Sequence, residues 1–473
     1  MTTAVSLPVL LTVSLLLAAG LAYLLRGWNR IMAAISGVYC LAWGGLLWLA
    51  DLNLPVWTPP LLGRSVDLTA PTTYLDFRFV LTPIGATAIS LTLVIIGATL
   101  LLSTRFAAPE EYALTPLLLI LAGGYTLLFL LTEGPVSPVL LAPIALAALS
   151  AVAVFLLSNR GSATVLRILL PPVLAIPVVL IADWYVRAAA LDPQNSLLMT
   201  TAAQFMGVGY VILLGPVPFH WGRVAAAESA PPLATAAATL LYQLAALFML
   251  FQLLAQFPAV GQGTSLALWL EWAGIVTALW GGVAAFGTLH PGRLWGYVAL
   301  HDWGIILITL AVAGTRSLPL ALFLFSLRAV SMLTAATGLS ALRASVGSLE
   351  PARLSGAGHR LPWSSAIYLL GGLGLAGFPL SAGFTGHWAA LQIMAETDWR
   401  PAAAILVASA GAIFSYIRLA RILLGPLENR SLRRERSVTT AIAAGILLLS
   451  MAIALAPQLL DGPVSRMLIA FSG

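Results

Sequence analysis

Lysine is absent from this 473-residue chain, whose 23 basic residues are all arginine. Cysteine occurs once, as Cys40 in an apolar run; a lone thiol excludes a disulfide framework or an iron–sulfur centre and reads as a packing residue. Charge of either sign is scarce: 8% of residues are charged and 60% hydrophobic, and the mean hydropathy is +0.98. No water-soluble fold of this length has such a composition, so the class is a polytopic all-α membrane protein. The pI near 9.8 does not imply nucleic acid, because the arginines cluster in short loops between apolar runs. Metal-ligand spacings, nucleophile motifs and phosphate loops are missing. Gly372-Leu373-Gly374-Leu375-Ala376-Gly377 matches G-x-G-x-x-G, but it lies in an apolar run with no strand before it. Its glycines suit close helix contact instead. No soluble domain, linker or low-complexity tract interrupts the chain.

What is abundant is long apolar sequence. Fourteen segments are long enough to span a hydrocarbon core of about 30 Å: 7–25, 31–50, 79–103, 112–132, 136–158, 163–187, 197–215, 231–256, 265–288, 294–313, 317–341, 362–382, 400–423 and 438–458. The first has no basic residue before it and Arg26 and Arg30 after it, which predicts an uncleaved span with its N-terminus outside. Alternating the loops then puts 16 arginines inside, Arg30, Arg160, Arg223, Arg430 and Arg433 among them. Six lie outside (Arg64, Arg78, Arg187, Arg316, Arg400 and Arg466), and Arg328 falls within a span. This bias supports both the count and an N-out, C-out topology in a prokaryotic inner membrane. Residues 51–78, with Pro55, Pro59, Pro60 and Gly63, read as an irregular outer loop. The stretch 427–438 carries Arg430, Arg433, Arg434 and Arg436 beside Glu428 and Glu435. It reads as a topology-setting inner loop, with anionic lipid or an acidic partner subunit as the alternative.

Two of the spans are interrupted. Gly215-Pro216-Val217-Pro218-Phe219-His220-Trp221 ends the seventh, and Gly377-Phe378-Pro379-Leu380-Ser381-Ala382-Gly383-Phe384-Thr385-Gly386-His387-Trp388 ends the twelfth. Proline lacks an N–H and crowds the preceding turn, and broken membrane helices commonly line an ion or substrate path. One break in each half predicts an inverted repeat around a midplane conduit. Ionisable residues within spans are the other candidates. Asp302, beside His301, lies nine residues past Arg293, well inside the tenth span. Arg328 lies mid-span, keeps its charge and needs an acceptor, for which Asp302 is the nearest carboxylate in the adjacent spans. His220 and His387 beside the breaks suit proton transfer, the alternative being hydrogen-bonded core histidines. Asp183 and Arg187, one turn apart, read as a local interfacial pair.

At these stretches the chain resembles the antiporter-like proton-translocating subunits of respiratory complex I, which are related to Mrp-type cation/proton antiporter subunits. The family pattern Pro-x-x-Pro-Phe-His-x-Trp-x-Pro-Asp, then Ala-Pro, is met by Pro218-Phe219-His220 and Ala230-Pro231, with the Trp shifted to Trp221 and no Pro-Asp. The pattern Leu-Ala-Gly-Ile-Pro-x-x-x-Gly-Phe-x-Gly-Lys is similar to Leu375 through His387, with His387 in the Lys position. Arg293 through Gly304 is similar to a third, Arg-x-x-x-Tyr-Ser-Ser-x-x-His-x-Gly, and Tyr74-Leu75-Asp76 looks like the family's Asp before the third span. The resemblance implies about 14 transmembrane helices in two inverted repeats with helices 7 and 12 discontinuous. It would divide the chain into helices 1–3 (1–103), a first repeat (104–256), a second repeat (257–423) and a basic loop with the last helix (424–473). No long lateral helix follows the last span, which points to the N- or M-type subunit, N being favoured.

The departures carry as much information. There is no Asp or Glu between Glu133 and Asp183, so the fifth-helix Glu is missing. Leu213 stands where the seventh-helix Lys would be, and Gln243 or Tyr242 near the eighth-helix position. The first half-channel is therefore expected to be degenerate unless water wires or Glu228 replace it. The resemblance implies a subunit without a cofactor of its own, partnered by other membrane subunits, lipid and protons, with quinone at the level of the complex. Its candidate path is His387, Asp302, His301, Arg328, His220 and Glu228. The alternatives are a structural subunit that has lost transport, or an independent cation/proton antiporter or ion-coupled uptake subunit.

Overall fold

A computed structural model describes residues 5–50, 56–57, 66–106, 113–157, 165–262, 264–312, 317–426, 432, 434–462 and 464–465. Arg64, Arg160, Arg316, Arg430, Arg433, Arg466 and Glu428, as well as the prolines and glycine of the 51–65 stretch, lie outside the described residues. The helices in chain order are α1 Leu7–Leu24, α2 Asn29–Leu49, α3 Pro83–Phe106, α4 Leu114–Leu130, α5 Pro138–Leu157, α6 Leu170–Leu191, α7 Ser196–Leu214, α8 Trp221–Ser229 and α9 Pro232–Gln256. They continue with α10 Pro258–Gln262, α11 Thr264–Phe286, α12 Pro291–Val312, α13 Ser317–Val346, α14 Pro351–Leu354, α15 Pro362–Leu375, α16 Phe384–Thr397, α17 Trp399–Leu423 and α18 Ser437–Leu455. Twelve spans among the described residues are long and apolar enough to cross a membrane, and α4 is a shorter apolar helix of 17 residues. The protein is a multi-spanning helical membrane protein.

Helices form here because hydrocarbon leaves the backbone no other way to satisfy its polar groups locally. They are apolar around most of their circumference, so burial sorts them by position rather than by an amphipathic stripe. Helix α9 is the central post: nearly every side chain from Pro232 to Phe251 is buried. At the other extreme, α18 buries only Ala443, Ser450 and Ile453, leaving a lipid-like flank. The closest antiparallel partners are α11 with α12, α2 with α3, α6 with α7 and α13 with α15. In the last pair the glycines of the 371–377 stretch let backbones meet, as at Gly371 against Ala335.

One expectation needs correcting. The 51–78 stretch is not wholly irregular. Strands Val56–Trp57 (β2) and Val66–Asp67 (β3) join Val5–Ser6 (β1) in a small sheet of order β1-β3-β2. Thr72–Tyr74 (β4) and Phe77–Phe79 (β5) form a hairpin that adds Leu131–Glu133 (β6). Leu75 and Asp76 both have positive φ, the twist a two-residue hairpin turn demands. The third span therefore starts at Pro83 rather than at 79. The break expected in the twelfth span is present, between the half-helices α15 and α16 of 14 residues each.

Candidate functional site

The first break separates α7 from α8. Gly215 ends α7 in the left-handed region at φ +63°, a conformation cheap only for glycine, and Pro216 and Pro218 follow before His220 begins α8. A helix end leaves carbonyls without partners. Here three side chains from other segments take them: the Tyr242 hydroxyl donates to the Leu213 carbonyl at 2.7 Å. The Trp303 indole donates to that of Leu214 at 3.0 Å. Arg223 donates to those of Leu214 and Gly215 at 3.3 and 3.2 Å. On the far side of the break the Val217 amide donates to the Thr277 hydroxyl at 3.0 Å.

The second break separates α15 from α16. Gly377, at φ +71°, closes α15 in a Schellman turn, with the Phe378 amide on the Leu373 carbonyl and its own amide on that of Gly374. A side chain there would be doubly excluded, since a Cβ on Gly377 would come within 2.3 Å of Nδ1 of His387. Pro379 follows, and Gly383 caps α16, its carbonyl accepting from the His387 amide at 3.1 Å. The break thus puts His387 one turn into a short helix that points at α12.

There the buried polar groups converge. Asp302 of α12 is in direct contact with Nη1 of Arg328 of α13 through Oδ2. Its other oxygen, Oδ1, lies 2.7 Å from Nε2 of His387. All three side chains are buried. Arg328 also donates through Nε to Oε1 of Gln243 at 3.0 Å and through Nη1 to the Ala299 carbonyl at 2.7 Å. Its guanidinium lies over the Trp303 ring. One permanent cation and one carboxylate therefore neutralise each other inside the protein, and two further acceptors, Gln243 and the Ala299 carbonyl, help to offset the cost of burying the guanidinium. With Nε2–H of His387 given to Asp302, its Nδ1 keeps a lone pair and has no hydrogen-bond partner among the described residues. His387 can accept a proton there without breaking the Asp302 contact, and the resulting imidazolium would sit against a carboxylate.

His301 lies beside this cluster, its ring 6.2 Å from that of His387 between centroids. Its Nδ1 is 2.7 Å from the Ala278 carbonyl, so that nitrogen carries the hydrogen, and Nε2 faces the Ser409 hydroxyl at 2.8 Å. His220 is buried but not in the cluster. It borders a cavity of about 20 Å³, roughly the room for one water, which it shares with Arg223, Gln243, Trp295 and Arg328. Glu228 does not reach the interior: it pairs with Arg293, at 3.0 Å to Nε, and both side chains are substantially exposed. Asp183 pairs with Arg187 at 2.8 Å at a partly exposed position.

Two residues of the interior escaped the sequence argument. Arg223, counted there with the inner-loop arginines, turns back into the protein. It caps α7, stacks over the Tyr242 ring at 4.8 Å and separates the first cavity from a second of about 30 Å³ bordered by Tyr125, Ser150 and Tyr242. Its place eight and nine residues from the carbonyls it serves, across two prolines, was the available signal. Gln243, seen only as a missing charge, is the second side-chain acceptor for Arg328.

Residues 144–415 match the family described as NADH:quinone oxidoreductase/Mrp antiporter, TM. The chain belongs to this family. The matched region runs from α5 to α17 and contains both breaks and the whole Asp302 cluster. The chain is 30% identical over 261 residues to NADH-quinone oxidoreductase subunit N of Methylococcus capsulatus, an alignment covering 53% of this chain and 52% of that protein. The chain spans about half the length of the curated relatives it matches. Among solved structures it superposes with TM-score 0.76 and 15% identity on a chain of the membrane-bound sulfane sulfur reductase, an archaeal respiratory membrane complex, covering 98% of this chain and 97% of that one. It superposes with TM-score 0.71 and 18% identity on a chain of respiratory complex I from Thermus thermophilus, covering 97% and 99%. At such identities the likeness is one of fold: this member has the antiporter-like helical architecture.

Proposed function

We propose that this chain is the antiporter-like membrane subunit of a complex I-type respiratory assembly and that it relays protons through its second half. The observation that carries the proposal is the buried Asp302 carboxylate shared between Arg328 and His387, which the second helix break delivers to it. Arg328 stays charged and is paired with Asp302; His387 is the group that loads and unloads. Its protonation adds one positive charge, which Asp302 stabilises. A movement of α16 that lengthens the His387–Asp302 contact would remove that stabilisation and favour release. His301 and Ser409 would continue the path on one side, and Gln243 and the His220 cavity on the other.

Residues 104–256 and 257–423 are the two repeats of this proposal, each with one break, and only the second has a titratable relay. In the first, α5 carries no carboxylate, Leu213 is buried where a cation would be expected, and Arg223 supplies a fixed charge instead. The other membrane subunits, with quinone reduction elsewhere in the assembly, are partners on the strength of the relatives' names and of the respiratory complexes in which chains of this fold occur. The arginine bias of the loops supports an inner membrane with the basic ends of α2, α3 and α18 on its inner face. The test is proton uptake by proteoliposomes containing the assembled complex, read with a pH-sensitive dye. Asp302→Asn in complex of normal subunit composition should abolish pumping by the second half. Undiminished pumping per electron pair in that variant would overturn the proposal.

A further inference from the structure

Arg30 at the start of α2, Arg105 at the end of α3, and Arg434 and Arg436 before α18 line one cavity of about 860 Å³. All four side chains are exposed, and among the described residues none has a carboxylate partner. A carboxylate does line the cavity, but Glu435 is already engaged. It accepts from the backbone amides of Trp363 and Ser364 at 3.1 and 2.7 Å, and from the Ser364 hydroxyl. It therefore caps the N-terminus of α15, where the helix dipole balances its charge. The cavity is left with four guanidinium groups facing a shared space.

Its place in the fold says what kind of anion it suits. The helices around it all begin or end there, so it lies at one edge of the apolar slab, at headgroup depth. Phe106 and Leu361 contribute apolar surface to its lining. Helix α18 rises from its rim with one flank unburied along its length, a track for acyl chains. A soluble anion would use the arginines and not the apolar track; an acidic protein segment would use no lipid-facing flank.

We propose that this cavity is a binding site for the phosphodiester headgroup of an anionic phospholipid, held by Arg30, Arg105, Arg434 and Arg436. Guanidinium–phosphate pairs are frequently bidentate and short, and each basic residue near a membrane surface contributes about a fivefold preference for anionic lipid. The test is native mass spectrometry of the full-length protein, delipidated in detergent and given equal amounts of phosphatidylglycerol and phosphatidylcholine. The parent should retain phosphatidylglycerol selectively. Arg434→Gln/Arg436→Gln should lose that preference by about twenty-fivefold, from two such factors, and the variant with all four arginines replaced should lose it altogether. Arg353→Gln/Arg421→Gln, which makes the same charge change outside the cavity lining, should keep it. Glycerol 3-phosphate added alone should not displace the lipid. Equal retention of the two lipids by the parent, equal loss in the control variant, or displacement by glycerol 3-phosphate would each overturn the assignment.

Discussion

The two helix breaks use the same residue types and arrive at different chemistry. At the first, the last carbonyls of α7 are closed by Tyr242, Trp303 and Arg223. None of these exchanges protons readily near neutral pH: tyrosine ordinarily titrates near 10, arginine keeps its proton, and indole is only a donor. At the second, the Schellman turn at Gly377 closes α15 with its own backbone, and the break delivers His387 to Asp302. A broken helix therefore provides an approach to the protein interior, and the titratable group brought to it decides whether protons can move. The halves are nonetheless joined. Trp303 follows Asp302 on α12 and holds the first break, and Arg328 reaches back to Gln243 on α9.

That contrast can be broken most forcefully at the ion pair. Asp302→Leu or Arg328→Leu alone should cost about 3–5 kcal/mol, because either leaves a buried charge unpaired. The double variant should lose less than the sum, which a double-mutant cycle of thermal unfolding in detergent would measure; strictly additive losses would dissolve the pair. At the first break Arg223→Gln should cost about 1–3 kcal/mol through the Gly215 carbonyl, which loses its side-chain donor, with pumping per electron pair preserved. A pumping defect larger than the assembly defect would instead give the first half a working role. Gly377→Ala should cost about 1–2 kcal/mol for the left-handed backbone and, by displacing His387, should reduce pumping well beyond its effect on melting. Smallest of all, Glu228→Gln should change stability by no more than about 1 kcal/mol, as for an exposed ion pair, and leave pumping unchanged. A clear pumping loss there would return Glu228 to the path.

How much of this was legible beforehand follows from the range of each interaction. The spans and both breaks are written in local composition, in apolar runs and in Pro and Gly within them. The Asp302–Arg328 contact was legible because a mid-span guanidinium must find an acceptor and the neighbouring spans offer few. His387 was marked as a candidate, but nothing in local spacing joins it to a carboxylate 85 residues away; that needs the packing of α16 on α12. Arg223 was misassigned for the opposite reason. An arginine after a proline turn looks like a loop residue, and only the return of α8 toward α9 reveals it as a cap. The strands of the 51–79 stretch, two or three residues each, are too short to leave a periodic trace.

His387 offers the most direct measurement, with dye-monitored proton uptake and subunit composition determined on the same preparations. If the second half relays protons through this imidazole, His387→Ala should lower uptake per electron pair while the complex still assembles. His387→Lys, which restores a titratable cation beside Asp302, should recover part of it. A fully assembled His387→Ala complex with unchanged uptake would contradict the account and remove the main reason for assigning proton transport to this chain.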